Sequence, residues 1–170
     1  GQHLLSEVPT GTGKSVAYLV PAILRAVEAN ETVVVVTANI ALQEQLVKKD
    51  LPLLTEILPV HFRYALLKGR NNYLCRDAFG KVHLAVAQGE SLDAAESEVF
   101  EWADRTRAGD VSELPFEPPG EVWRRFSVSS DECLDDACDF YEECCANEAR
   151  KAAAHAHVVV TNYHLLFSHL

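Results

Sequence analysis

Methionine is absent from all 170 residues, position 1 included, and the expectation is therefore a piece of a longer protein. No apolar run reaches the roughly 18 residues that a membrane span needs. No charged-then-apolar leader opens the chain, so neither a span nor a signal segment is read from it. Basic residues are scarce, with 15 Lys and Arg against 25 Asp and Glu and a formal net charge of −10. That balance argues against a domain that coats nucleic acid by charge alone, though not against a local basic groove. Internal repeats and low-complexity tracts are lacking as well.

The acid that is present is unevenly spread. Residues 1–70 hold seven basic and six acidic side chains, residues 71–152 hold eight and nineteen, and residues 153–170 hold none. A middle block with a net charge of −11 reads as an inserted subdomain. The same block contains all five cysteines, Cys75, Cys133, Cys138, Cys144 and Cys145. Without a secretion signal a disulfide framework is disfavoured, and soft thiolate ligands suit an iron–sulfur cluster or tetrahedral zinc. Spacing alone does not choose between the two metals, and unrelated buried thiols are the plain alternative.

Around that block the chain alternates strand and helix patterns. Residues 3–8 read as a short strand. Residues 14–29 carry apolar positions at helical spacing, with Pro21 expected to kink or loosen the helix. The β-branched run 32–38 predicts a strand buried on both faces, and 39–54 returns to helical spacing. Residues 62–69 and 157–162 are again strand-like. The alternation predicts an α/β fold with a parallel sheet and covering helices. Within the insert, 92–108 predicts a helix opened by Ser91 and closed at Gly109, 114–123 a proline-rich connection, and 139–154 a second helix. Trp102, Trp123 and Phe126 read as its small core, and the pair His155 and His157 as surface residues at a strand entry.

One stretch carries explicit chemistry: "EVPTGTGKSVAYLV", residues 7–20. A strand, a glycine-rich turn and Lys-Ser at a helix start form a phosphate-binding loop. Gly11 and Gly13 permit the turn and the close approach of a phosphate. Exposed N–H groups at the helix N-terminus favour an anion. Lys14 supplies a charge for the β- and γ-phosphates, and Ser15 an oxygen for Mg²⁺. Thr10, Gly11, Thr12, Gly13, Lys14 and Ser15 are thus the candidate ATP-binding residues. The strict pattern places its first glycine where Val8 stands, and the plain alternative is a glycine turn that merely caps a helix.

Together the stretches "EVPTGTGKSVAYLVPAIL", "VVVVTANIALQEQL", "LLKGRNNYLC", the trio Cys133, Cys138 and Cys144, and "EARKAAAHAHVVVTNYHLLF" resemble the XPD/DinG-type iron–sulfur DNA helicases, in the bacterial DinG-like branch. The resemblance implies a RecA-like P-loop motor lobe with helices on both faces of its sheet (residues 1–70 and 153–170), interrupted by a mainly helical [4Fe–4S] insert (71–152). It implies Cys75, Cys133, Cys138 and Cys144 as ligands and Cys145 as a non-ligand, a choice that the adjacency of Cys144 and Cys145 leaves open. It implies single-stranded and forked DNA as partners, with Thr37, Asn39, Gln43, Lys68 and Arg70 as candidate contacts. The plain alternatives are a polar helix face for Gln43 and solvated charge for Lys68 and Arg70, while Tyr73 could stack on a base or pack the cluster, with packing favoured. The activity implied is ATP-dependent translocation, 5′ to 3′, with duplex unwinding in DNA repair, in the bacterial cytosol or nucleoid. No Asp-Glu-Ala-His box occurs in the sequence, so no catalytic residue is assigned and the chain alone is expected to be inactive. Rival readings are a zinc-stabilised nucleotide-binding module and the motor part of a helicase–nuclease.

Overall fold

The structure is a computed structural model that describes Glu7, residues 13–38 and residues 40–167. The strand expected over 3–8 lies outside the described residues. The chain divides into two compact units, one formed by Gly1–Leu66 with His155–Leu170 and the other by Leu67–Ala154.

In the first unit, helix α1 (Lys14–Ala29) is followed by strand β1 (Val33–Thr37), helix α2 (Ile40–Gln45), a π-helical turn (Leu46–Asp50), helix α3 (Leu51–Ile57) and strand β2 (Tyr64–Leu66). Strand β3 (Val158–Asn162) is the central strand, parallel to both others, in the order β1-β3-β2. This is the parallel α/β arrangement that the alternating pattern predicts. The core joins Leu19 and Ile23 of α1, Leu46, Leu51 and Leu54, and Val158 and Val160 of β3.

Pro21 lies inside α1, yet the helix runs on to Ala29. The proline sits on the exposed face, where water can satisfy the carbonyl it leaves without a partner. Pro52 has a stronger effect. It cannot donate to the carbonyl four residues back, and its ring crowds that carbonyl. The preceding turn is widened instead, and the Leu51 N–H reaches Leu46 O. The single helix expected over 39–54 is therefore three pieces.

Two strand expectations need correction. β1 is not buried on both faces: it borders only β3 among the described residues, and Val34 is 47% exposed. The strand expected over 62–69 shrinks to three residues, Tyr64–Leu66, which is as far as its pairing with Val158–Val160 extends.

The second unit is mainly helical. It holds α4 (Arg76–Ala87), α5 (Ala94–Arg105), α6 (Gly120–Trp123) and α7 (Cys145–Ala154), with short 3₁₀ turns between them. A short helix, α8 (Tyr163–Phe167), follows β3 in the first unit. The N-cap of α5 is Asp93 rather than Ser91. Its carboxylate accepts the Glu96 N–H while Glu96 accepts the Asp93 N–H, a reciprocal box that satisfies two orphan donors. The helix expected over 139–154 starts only at Cys145, because residues 138–144 turn through bonds spaced three residues apart, from Tyr141 to Cys138 and from Glu143 to Phe140. Phe126 is fully buried at the centre of this unit, with Trp102 and Trp123 packed against its core.

Candidate functional site

The sheet and α1 fix where the glycine turn sits in the first unit. Three residues separate the end of α1 from the start of β1, and α1 shares its core with β3. A helix of 16 residues is about 24 Å long. Running back across the sheet, it brings its N-terminus to the carboxyl edge of the strands, where open α/β sheets bind ligands. Thr37 and Asn162 end their strands at that edge.

Gly13 precedes α1 with φ 78°, in the left-handed region that glycine enters without penalty. Its carbonyl accepts the first helical N–H, from Ala17. No side chain caps the helix start and no acidic residue occupies the first turn, so the N-terminus keeps its affinity for an anion. Lys14 and Ser15 stand on that first turn. Burial raises the pKa of the nearby Tyr18 phenol, against a hydrogen bond with Ser15 that lowers it. Thr10, Gly11 and Thr12 lie outside the described residues, as does Asn39.

Thr37 is 3% exposed. Gln43 is completely buried, and neither atom of its amide has a hydrogen-bond partner among the described residues. It presents nothing outward to a DNA strand. The α2 face that carries it packs inward.

Lys68 and Arg70 also depart from expectation. The Lys68 ammonium is buried, donating to Asp110 at 2.7 Å and to Ser112 at 2.9 Å. The Arg70 side chain is 5% exposed and donates to Asp135 at 2.6 Å and to Asn147 at 3.4 Å. Both cations face into the second unit, not toward a phosphate backbone. Their acceptors Asp110, Asp135 and Asn147 were not legible as partners, because they stand 42 to 77 residues further along.

The four cysteines Cys75, Cys133, Cys138 and Cys144 line one cavity of the second unit. Three local devices bring them there. Cys75 caps α4, and its N–H donates to Phe126 O. Cys133 and Cys138 flank a 3₁₀ turn whose Asp135 N–H donates to Cys133 Sγ at 3.4 Å. Cys144 immediately precedes α7, its carbonyl accepting the Glu148 N–H. Burial pushes the Cys75 thiol pKa up, opposed by hydrogen bonds from the Ala78 and Asp77 backbone, with the charges of Asp77 and Cys138 adding to the rise. Such a thiol stays protonated until a metal takes the proton's place.

Cys145 does not line the cavity. It is 3% exposed and packs against Gly109, on the core side of α7. Tyr73 lines the cavity, is 5% exposed, and accepts the Lys68 N–H on its hydroxyl. Its phenol pKa is pushed up to about 12, chiefly by burial. The ring is thus a packing element, with no free face for a base. His157 accepts the Arg63 N–H on Nδ1, and the His155 carbonyl accepts from the Arg63 side chain, so this pair stitches the strand entry. Among the described residues, no three His, Cys, Asp or Glu side chains converge around a single ion.

Similarity to known proteins runs the length of the chain. It is 44% identical to the ATP-dependent helicase DinG of Mycobacterium tuberculosis (strain ATCC 25177 / H37Ra), over 98% of the chain and 28% of that relative. It is 37% identical to the ATP-dependent DNA helicase YoaA of Escherichia coli K12, over 99% of the chain and 26% of the relative. Against the ATP-dependent DNA helicase DinG of Salmonella choleraesuis the identity is 34%, again over 99% and 26%. The chain thus spans about a quarter of the length of these relatives. Residues 1–108 match the DEAD/DEAH box helicase model, and with that match covering more than half of its residues the chain belongs to the DEAD/DEAH box helicase family.

Proposed function

We propose that this chain supplies the nucleotide-gripping part of an ATP-dependent DNA helicase of the DinG type, and that Leu67–Ala154 is a [4Fe–4S] insert within its first motor lobe. The observation that carries the reading is the common cavity of Cys75, Cys133, Cys138 and Cys144, from which the adjacent Cys145 is excluded. The four thiols belong to three separate segments, and nothing in a purely structural core requires them to converge.

The donor set fits the cluster. Four soft thiolates are the usual ligands of [4Fe–4S], and each binds a different iron, so they need not crowd one point as they do around zinc. A bound cluster supplies a covalent cross-link among the three segments, in a unit with a modest core.

At the other end, Gly13 sets the turn, and the uncapped start of α1 directs backbone N–H groups at the triphosphate. Lys14 neutralises the β- and γ-phosphates, and Ser15 gives Mg²⁺ an oxygen. The segment after β1 borders the path of single-stranded DNA, with Asn39 as a candidate contact. The whole protein then couples ATP hydrolysis to 5′-to-3′ movement and opens forked DNA in repair. Among the described residues no helix is long and apolar enough to cross a membrane.

Anaerobic purification tests the reading. A brown protein with iron and acid-labile sulfide in a four-to-four ratio per chain supports it. A colourless protein holding one zinc per chain overturns it in favour of a zinc-stabilised module.

A further inference from the structure

The geometry points to Arg70 as a positioning residue for the four-cysteine centre, one guanidinium that latches all three ligand-bearing segments and offsets the charge they hold. This rests on the cluster reading above and deepens it.

Arg70 lines the cysteine cavity and belongs to the segment that leads into Cys75. One nitrogen donates to Asp135 at 2.6 Å. Asp135 lies between Cys133 and Cys138, and its own N–H donates to Cys133 Sγ. The other nitrogen reaches Asn147 Oδ1 at 3.4 Å. Asn147, itself 7% exposed, passes the connection on, its amide donating to the Tyr141 carbonyl between Cys138 and Cys144. A planar guanidinium holds its donors on two sides in fixed directions and so suits two segments at once, where an ammonium is a compact point charge on a flexible stem.

The backbone carries a matching sign. Asp135 has φ 49°, a left-handed conformation that a non-glycine residue enters at a cost of order 1 kcal/mol. Its carboxylate on Arg70 holds it there. The charges are also placed asymmetrically. Four thiolates around an iron–sulfur core leave a net negative centre. Arg70 is 5% exposed and keeps nearly its full field inside the unit, whereas Asp135 is 62% exposed and screened by water. Asp135 and Asp77 line the same cavity, but of the pair Arg70 is the charge that water screens less.

The test uses the protein purified anaerobically with its iron, and three variants. Arg70→Gln removes the charge. Its midpoint potential should fall, with the ratio of reduced to oxidised centre dropping at least tenfold at a fixed applied potential, about 59 mV for a one-electron couple. Arg70→Lys keeps the charge and loses the fork. It should hold the wild-type potential while releasing iron to a chelator severalfold faster. Asp135→Gly accepts the left-handed backbone and loses only the latch. It too should release iron severalfold faster, and it decides the matter if the Arg70 variants do not fold. A wild-type potential in Arg70→Gln, or wild-type iron release in Asp135→Gly, overturns the inference. Wild-type protein without iron and sulfide overturns the cluster reading instead, so the two failures are distinct.

Discussion

Gly109 and Cys145 touch so closely that a Cβ built on the glycine would lie 2.6 Å from the cysteine sulfur. Gly109 also has φ 66°, and its backbone is pinned at both ends: its N–H donates to Thr106 Oγ1 and its carbonyl accepts the Leu74 N–H. The contact explains why Cys145 is a packing residue although it adjoins Cys144. The loop cannot retreat from α7 without breaking the bonds that lead into Cys75.

Gly109→Ala should therefore destabilise the second unit. Left-handed strain and the forced overlap together cost roughly 2–4 kcal/mol. Thermal or denaturant unfolding followed by Trp102 and Trp123 fluorescence checks this, and an unchanged midpoint would contradict it.

The buried Lys68–Asp110 pair makes a second prediction. Lys68→Met removes one partner and leaves Asp110, 16% exposed at its side chain, with uncompensated charge. The expected loss is roughly 3 kcal/mol. Adding Asp110→Asn should restore part of it, because the stranded charge is then gone. Two additive losses in the double variant would show that the ion pair has no such role.

Gln43 predicts a gain. A fully buried amide that meets no partner among the described residues costs about 1–3 kcal/mol relative to a satisfied or apolar group of like shape. Gln43→Met should raise the unfolding free energy by an amount of that order. A loss of stability would mean that the amide finds a partner in solution.

Lys14→Ala addresses the nucleotide end alone. In the longer protein it should weaken ATP binding or turnover by at least tenfold, with iron content unchanged. Equilibrium binding of a labelled nucleotide alongside iron analysis separates the two. Unaltered nucleotide affinity would remove Lys14 from its assigned place.

Much of the first unit was legible because its signals are local. The turn at Gly13, the apolar stripe of α1 and the valine runs of β1 and β3 each announce themselves within a few residues. The π-turn ahead of Pro52 was not, since a proline signals a disturbance but not how the helix absorbs it. Helix α4 went unread because Gly80 interrupts it and only Val82 is buried, which leaves a faint stripe. The capping box at Asp93 and Glu96 is visible in the three-residue spacing of the two, but Ser91 is an equally good cap by residue type. The burial of Lys68 and Arg70 is hidden in the sequence for a deeper reason. A basic pair beside a cysteine looks like surface charge until the fold brings Asp110 and Asp135 to it.

The most direct test of the account compares two cysteines. Iron and acid-labile sulfide would be measured in anaerobically purified Cys138→Ser and Cys145→Ser. Cys138→Ser should lose most of its iron while Cys145→Ser keeps the wild-type content. Full iron in the first variant, or its loss in the second with the fold intact, would contradict the assignment of the centre.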